Sequence, residues 1–158
     1  MQKFLFLLVS IFILNSCDKD QESELTNDDF LIIGLTYGEC GGDCSHLYKL
    51  EEGELFADTE ELWWNQSDDP DFSSTAMVNA TALAEIEQLV TDFPEFLIQT
   101  EEKTFGCPDC GDWGALHVFK KVNGEQRYWT LDNQLESNPE EIQDWAKRIQ
   151  TLIYELMN

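Results

Sequence analysis

Asn123-Gly124 stands between two β-prone runs, residues 113–122 and 125–131. Asn-Gly accepts the positive φ angles of a type I′ turn, whose twist matches that of the strands it joins. A two-residue turn sets the whole register. Val122 lies opposite Glu125, Phe119 opposite Tyr128, Val118 opposite Trp129, His117 opposite Thr130 and Leu116 opposite Leu131. Side chains alternate along a strand, so Leu116, Val118, Trp129 and Leu131 share one face. His117, Phe119, Tyr128 and Thr130 share the other. The first face is wholly apolar and is expected to meet the helices.

The other elements follow from period and punctuation. Residues 30–37 (FLIIGLTY) are β-branched or aromatic and apolar on both faces, which predicts a central strand. Residues 46–50 alternate and predict a second strand. A turn at residues 51–54 leads to a third at 55–57, giving an antiparallel meander. Leu83, Ile86, Val90 and Phe93 fall at helical spacing, so residues 80–92 predict an amphipathic helix that Pro94 interrupts. Pro94 then starts a short turn reaching Gln99. The last helix carries the stripe Ile142, Trp145, Ile149, Leu152, Ile153 and Leu156. Asn138 is its expected N-cap, with Pro139 in the first turn and Glu141 at the capping-box position. The expected fold class is α+β: an antiparallel sheet of about five strands with two main helices on one face, in one domain over residues 30–158.

The amino terminus is of another kind. Lys3 precedes an 11-residue apolar run, FLFLLVSIFIL. That length suits a signal-peptide core and falls short of the ~20 residues a spanning helix needs. The run closes on Leu14-Asn15-Ser16-Cys17, which resembles the lipobox of bacterial lipoproteins. The resemblance covers only the first 20 or so residues. It implies that the Cys17 thiol receives a diacylglyceryl group, that cleavage removes residues 1–16, and that the new amino terminus is acylated. Residues 17–29, polar and acidic, are expected to be a flexible tether. Asp18-Lys19-Asp20 directly after Cys17 resembles the export signal of surface lipoproteins in Bacteroidota, with Gln21 interrupting the acidic run before Glu22. The layout is similar to that of small lipoproteins of that group. The resemblance implies a cell-envelope address, at the outer membrane or cell surface rather than the inner membrane.

Cysteine arithmetic agrees with a lipid on Cys17. Of five cysteines, four remain in two close pairs: Cys40 with Cys44, and Cys107 with Cys110. In an oxidising envelope these predict disulfides. Three connectivities are open, two of which would staple the loops together. A four-thiolate zinc site is the alternative, because Cys107-Pro108-Asp109-Cys110-Gly111 resembles the knuckle of zinc ribbons. A redox pair is a third possibility, although the hairpin that follows offers no helix N-terminus to lower a thiol pKa.

The chain has 32 Asp+Glu against 9 Lys+Arg, a formal charge of −23. Phosphate binding needs a basic footprint, so nucleic acid is excluded as a partner. There is no Gly-x-Ser-x-Gly, phosphate loop, dinucleotide fingerprint or His-Glu-x-x-His. His46 and His117 stand on strands without a legible nucleophile. Residues 65–71 are oxygen-rich but lack the calcium-loop pattern. Trp63 and Trp64 are adjacent, so on an extended chain they face opposite sides and one ring is left at the surface. Trp63, Trp64, Phe119 and Tyr128 are the candidate ligand contacts. The expectation is a lipid-anchored, non-enzymatic binding module with no cofactor, whose ligand is an unknown protein or small molecule. An inhibitor or immunity-type lipoprotein that binds a basic partner is a second possibility. The four-cysteine zinc or redox protein is a third.

Overall fold

A computed structural model describes residues 30–41, 44–58, 74–122 and 124–158. The strands are β1 (Phe30–Thr36), β2 (Ser45–Glu51), β3 (Glu54–Asp58), β4 (Ser74–Met77), β5 (Ala115–Val122) and β6 (Glu125–Asp132). The helices are α1 (Ala80–Thr91), α2 (Glu95–Gln99) and α3 (Glu140–Leu156). The six described strands form one antiparallel sheet in the order β4-β3-β2-β1-β5-β6. The fold is therefore α+β. It has one more strand than expected, because β4 is too short and polar to announce itself. Its third helix, α2, is the single turn that follows Pro94.

β1 is central because it is apolar on both faces. Leu31, Ile33 and Leu35 point into the helix-covered core, while Ile32 on the other face packs with Leu47 and Phe119. Gly34 is required here. A Cβ at that position would run into the Leu47 side chain and lie 3.2 Å from the His46 carbonyl. Among the described residues the two faces are unequal: 22 buried residues make the helix-side cluster and three the other. At ~1.5–3 kcal/mol per buried large apolar side chain, the helix side carries most of the hydrophobic stabilisation.

α1 and α2 connect edge strand β4 to β5 beside β1, and so cross over three strands on one face. Asn79 caps α1 by accepting from the Ala82 amide at 3.0 Å. α1 and α3 are locked by the Trp145 indole N–H, which donates to the Leu89 carbonyl at 3.1 Å. Phe93 meets the Trp145 ring edge-on at 5.0 Å. Arg148 reaches Glu85 at 3.0 Å and Asp92 at 2.8 Å. The hydrogen bond from Arg148 holds the Asp92 carboxyl below its ordinary range.

The β5–β6 register is the one the Asn-Gly turn dictates, from Val122↔Glu125 to Leu116↔Leu131. Leu116, Val118, Trp129 and Leu131 all lie in the helix-side core. Asn138 is a correction. It does not cap α3, which starts after Pro139 with no side-chain cap and with Glu140 and Glu141 in its first turn. Those carboxylates suit the positive end of the helix dipole. The Asn138 amide turns back to β6 instead. It accepts from the Asp132 amide at 2.9 Å and donates to the Asp132 carbonyl at 2.8 Å. A carboxamide matches the N–H and C=O of one residue as a neighbouring strand would, so a buried strand end is satisfied without another strand.

This distinction is testable. Asn138→Ser keeps capping ability but cannot bridge Asp132. We expect it to lower unfolding free energy by about 2–3 kcal/mol in urea melts, because buried backbone groups lose their partner. A change near zero would restore the capping role.

Candidate functional site

The carboxyl ends of β1 and β6 and the amino ends of β2 and β5 meet at one end of the sheet. Thr36 pairs with both Ser45 and Ala115, and Ala115 with Asp132. Both cysteine loops rise from this end. In the first, residues 37–44, the Tyr37 amide donates to the Cys44 carbonyl at 3.0 Å. Cys40 and Cys44 are disulfide-bonded, with Cα atoms 5.7 Å apart. In the second, residues 106–114, Cys107 and Cys110 are bonded with Cα atoms 5.4 Å apart. Both bridges therefore close locally, and neither staples one loop to the other. The zinc alternative needs four thiolates, and the pairing consumes them. Among the described residues no group of three His, Cys, Asp or Glu is placed to hold a metal ion.

The second loop is tightly wound. Gly106, Asp109, Gly111, Asp112 and Gly114 all have positive φ. Asp109 closes it: its amide donates to the Gly114 carbonyl, and its carboxylate accepts from the Gly114 amide, each at 3.1 Å. Asp132 anchors its start by accepting from the Cys107 amide at 2.8 Å. A Cβ on Gly106 would sit 2.6 Å from the Asp132 Cβ, so only glycine admits this approach. The two loops touch, because a Cβ on Gly38 would strike the Asp109 carboxylate.

This winding lifts Trp113 out of the sheet. β5 begins only at Ala115, and the Trp113 side chain is 58% exposed. Its carbonyl accepts from the Asn133 side chain at 2.6 Å, and Asn133 in turn accepts from Gln150 of α3. Tyr37 lies against Gly114, where a Cβ would come within 2.8 Å of its ring. Tyr37 is also hydrogen-bonded to the partly exposed Tyr154. Burial, and then that bond, push the Tyr37 phenol up to about 12. Trp113 is the residue that sequence reading missed, being taken as the first residue of a strand. The signal was present: Gly111 and Gly114 flank it, and glycine in a strand marks a break.

The predicted contact residues fare differently. Trp63 and Trp64 lie outside the described residues, as does Cys17. Phe119 is 1% exposed and stacks on Phe30 at 5.5 Å, so it presents no ring to solvent. Tyr128 is half-buried and belongs to a polar chain. The Thr130 hydroxyl donates to the Tyr128 oxygen at 2.6 Å, and that oxygen lies 2.8 Å from His117 Nδ1. His117 Nε2 lies 2.7 Å from the Thr36 hydroxyl. Threonine, imidazole and phenol lie in hydrogen-bonding sequence, as a base and nucleophile would. Burial pushes His117 down to about 4, partly offset by the Asp109 charge, so it is neutral and a weak base. Thr36 is itself buried. The group therefore satisfies the polar atoms buried at this end of the sheet.

A cleft of about 370 Å³ between α1 and α3 is lined by Asn79, Glu85, Lys147, Arg148 and Thr151, among others. Its guanidinium is already committed to Glu85 and Asp92. The chain matches no protein-family model and no curated protein, so its function has to be argued from its own residues.

Two measurements check this description. Because His117 is depressed below its unfolded value of 6.5, its contribution is fully present above that pH. It is lost as pH falls from about 6.5 towards 4, where the unfolded chain binds the extra proton. The loss amounts to about 3 kcal/mol. Urea stability of His117→Gln should therefore show a flatter slope than wild type across that window, and equal slopes would refute the assignment. For the bridges, the denatured intact mass should lie four hydrogens below the fully reduced value, two per bridge. Cys107→Ala/Cys110→Ala should cost about 2 kcal/mol, the loop-closure entropy of so small a ring.

Proposed function

We propose that this chain is a lipid-anchored lipoprotein of the cell envelope, held by Cys17, whose α+β domain is a binding module and not an enzyme. The observation that carries the reading is the cysteine pairing. Four of the five cysteines are consumed within their own loops, which leaves Cys17 without a disulfide mate and inside a lipobox-like motif. Local disulfides suit an oxidising compartment. The neutral, buried His117 gives no support to hydrolytic chemistry.

β1 starts at Phe30, opposite the end that carries both cystine loops. The 13 residues from Cys17 to Asp29 reach at most about 45 Å. A lipid anchor at Cys17 would join the described domain through Phe30, at the end of the sheet opposite the cystine loops.

Alkyne-palmitate labelling of the full-length chain in a Gram-negative host tests this. Wild type should carry the label and sediment with membranes. Cys17→Ala should lose the label and leave the membrane fraction. Label that persists in Cys17→Ala would overturn the anchor.

A further inference from the structure

The far end of the sheet joins an exposed aromatic residue to a one-signed charge field. The stretches 37–44, 106–114 and 132–139 converge there, and none contains Lys or Arg. Their described acidic residues are Glu39, Asp109, Asp112, Asp132 and Glu136. Asp132 is buried and hydrogen-bonded to the Cys107 and Gln134 amides, and Asp109 is bonded to Gly114. Glu39, Asp112 and Glu136 are exposed. The cations of the described strands lie in the opposite half: Lys49 and Lys121 flank Phe30, at 4.9 Å and 6.0 Å from its ring, Lys120 sits over the Phe93 ring, and Arg127 is on β6 near the hairpin turn.

The geometry points to a docking surface for an arginine- or lysine-bearing segment of a partner protein, centred on the Trp113 indole and rimmed by Asp112, Glu39 and Glu136. This rests on the binding-module reading above and names its partner class and its place. Three features support it. The first is complementarity: an acidic rim whose three stretches carry no cation of their own attracts a basic segment and raises its encounter rate. The second is the indole itself, since a tryptophan face is the best side-chain acceptor for a guanidinium or ammonium. The third is preorganisation. Trp113 is pinned through its carbonyl by Asn133, and Asn133 by Gln150. The loop on either side is wound by Asp109 and braced by a disulfide. A side chain held out on a rigid loop loses less entropy when it binds.

The test is an NMR titration of the full-length, ¹⁵N-labelled protein in detergent, observing tryptophan indole N–H signals. The Trp113 signal is assigned by its absence in Trp113→Phe. The probe is an acetylated, amidated tri-arginine peptide, with a neutral gluco-oligosaccharide as the competing ligand class. The expected result is a saturable shift of the Trp113 signal with the peptide and none with the sugar. Trp113→Ala should weaken the peptide about two- to fivefold, the size of an exposed cation–π contact. Asp112→Asn, which suits the same positive φ, should weaken it in a way that fades as salt rises. Beyond the Trp113→Phe spectrum used for assignment, the wild-type shift needs no variant, so a misfolded Trp113→Ala or Asp112→Asn does not blur the outcome. A Trp113 signal that stays still while the peptide binds elsewhere would overturn the proposal. Unchanged affinity in Trp113→Ala would do the same, as would a shift caused by the sugar alone. Running Cys17→Ala alongside separates the two readings, because lipid labelling reports on the anchor and the indole signal on the surface.

Discussion

Burial of β1 on both faces is the constraint on which the rest of the molecule depends. A strand with Leu31, Ile33 and Leu35 on one side and Ile32 on the other has to be paired at both edges and covered on both surfaces. β2 and β5 supply the edges, and Gly34 lets Leu47 cross close above it. The crossover through α1 and α2 then has to lie on one face, and α3 packs beside α1 through Trp145 and Arg148. With that side fixed, the four strand ends at Thr36, Ser45, Ala115 and Asp132 converge. The two cystine loops are brought together as a result.

Much of this was legible because it is local. The hairpin follows from two residues, Asn123 and Gly124, whose turn type leaves one register. The helices follow from apolar spacing. The shortfalls have identifiable causes. β4 is four residues long and gains its strand character only from pairing with β3, a tertiary effect that no short window contains. Asn138 precedes a helix and carries a capping side chain, but the buried backbone N–H and C=O of Asp132 compete for it and win by offering two hydrogen bonds. Trp113 precedes a strand and is aromatic, yet the hydrogen bonds of Asp109 hold its loop in the left-handed region.

The candidate site was less legible than the fold. Phe119 and Tyr128 share a sheet face with His117, as alternation requires, but sharing a face does not set exposure. Phe119 is sealed against Phe30, and Tyr128 is engaged in satisfying His117. Which aromatic residue reaches solvent was decided by a loop whose conformation rests on five exceptions to ordinary backbone geometry between Gly106 and Gly114, three of them glycines. Such a loop has no period, so pattern reading passes over it.

The local closure of both bridges has a consequence for biogenesis. Joining Cys107 to Cys110 closes a loop three residues long, whereas joining it to Cys44 spans about 60. The entropic difference is on the order of 3 kcal/mol in favour of the short loop. Correct pairing is thus favoured in the unfolded chain, before any sheet exists to guide it. A chain wired this way can be oxidised to the right pairing before it folds, without a reshuffling enzyme to correct it.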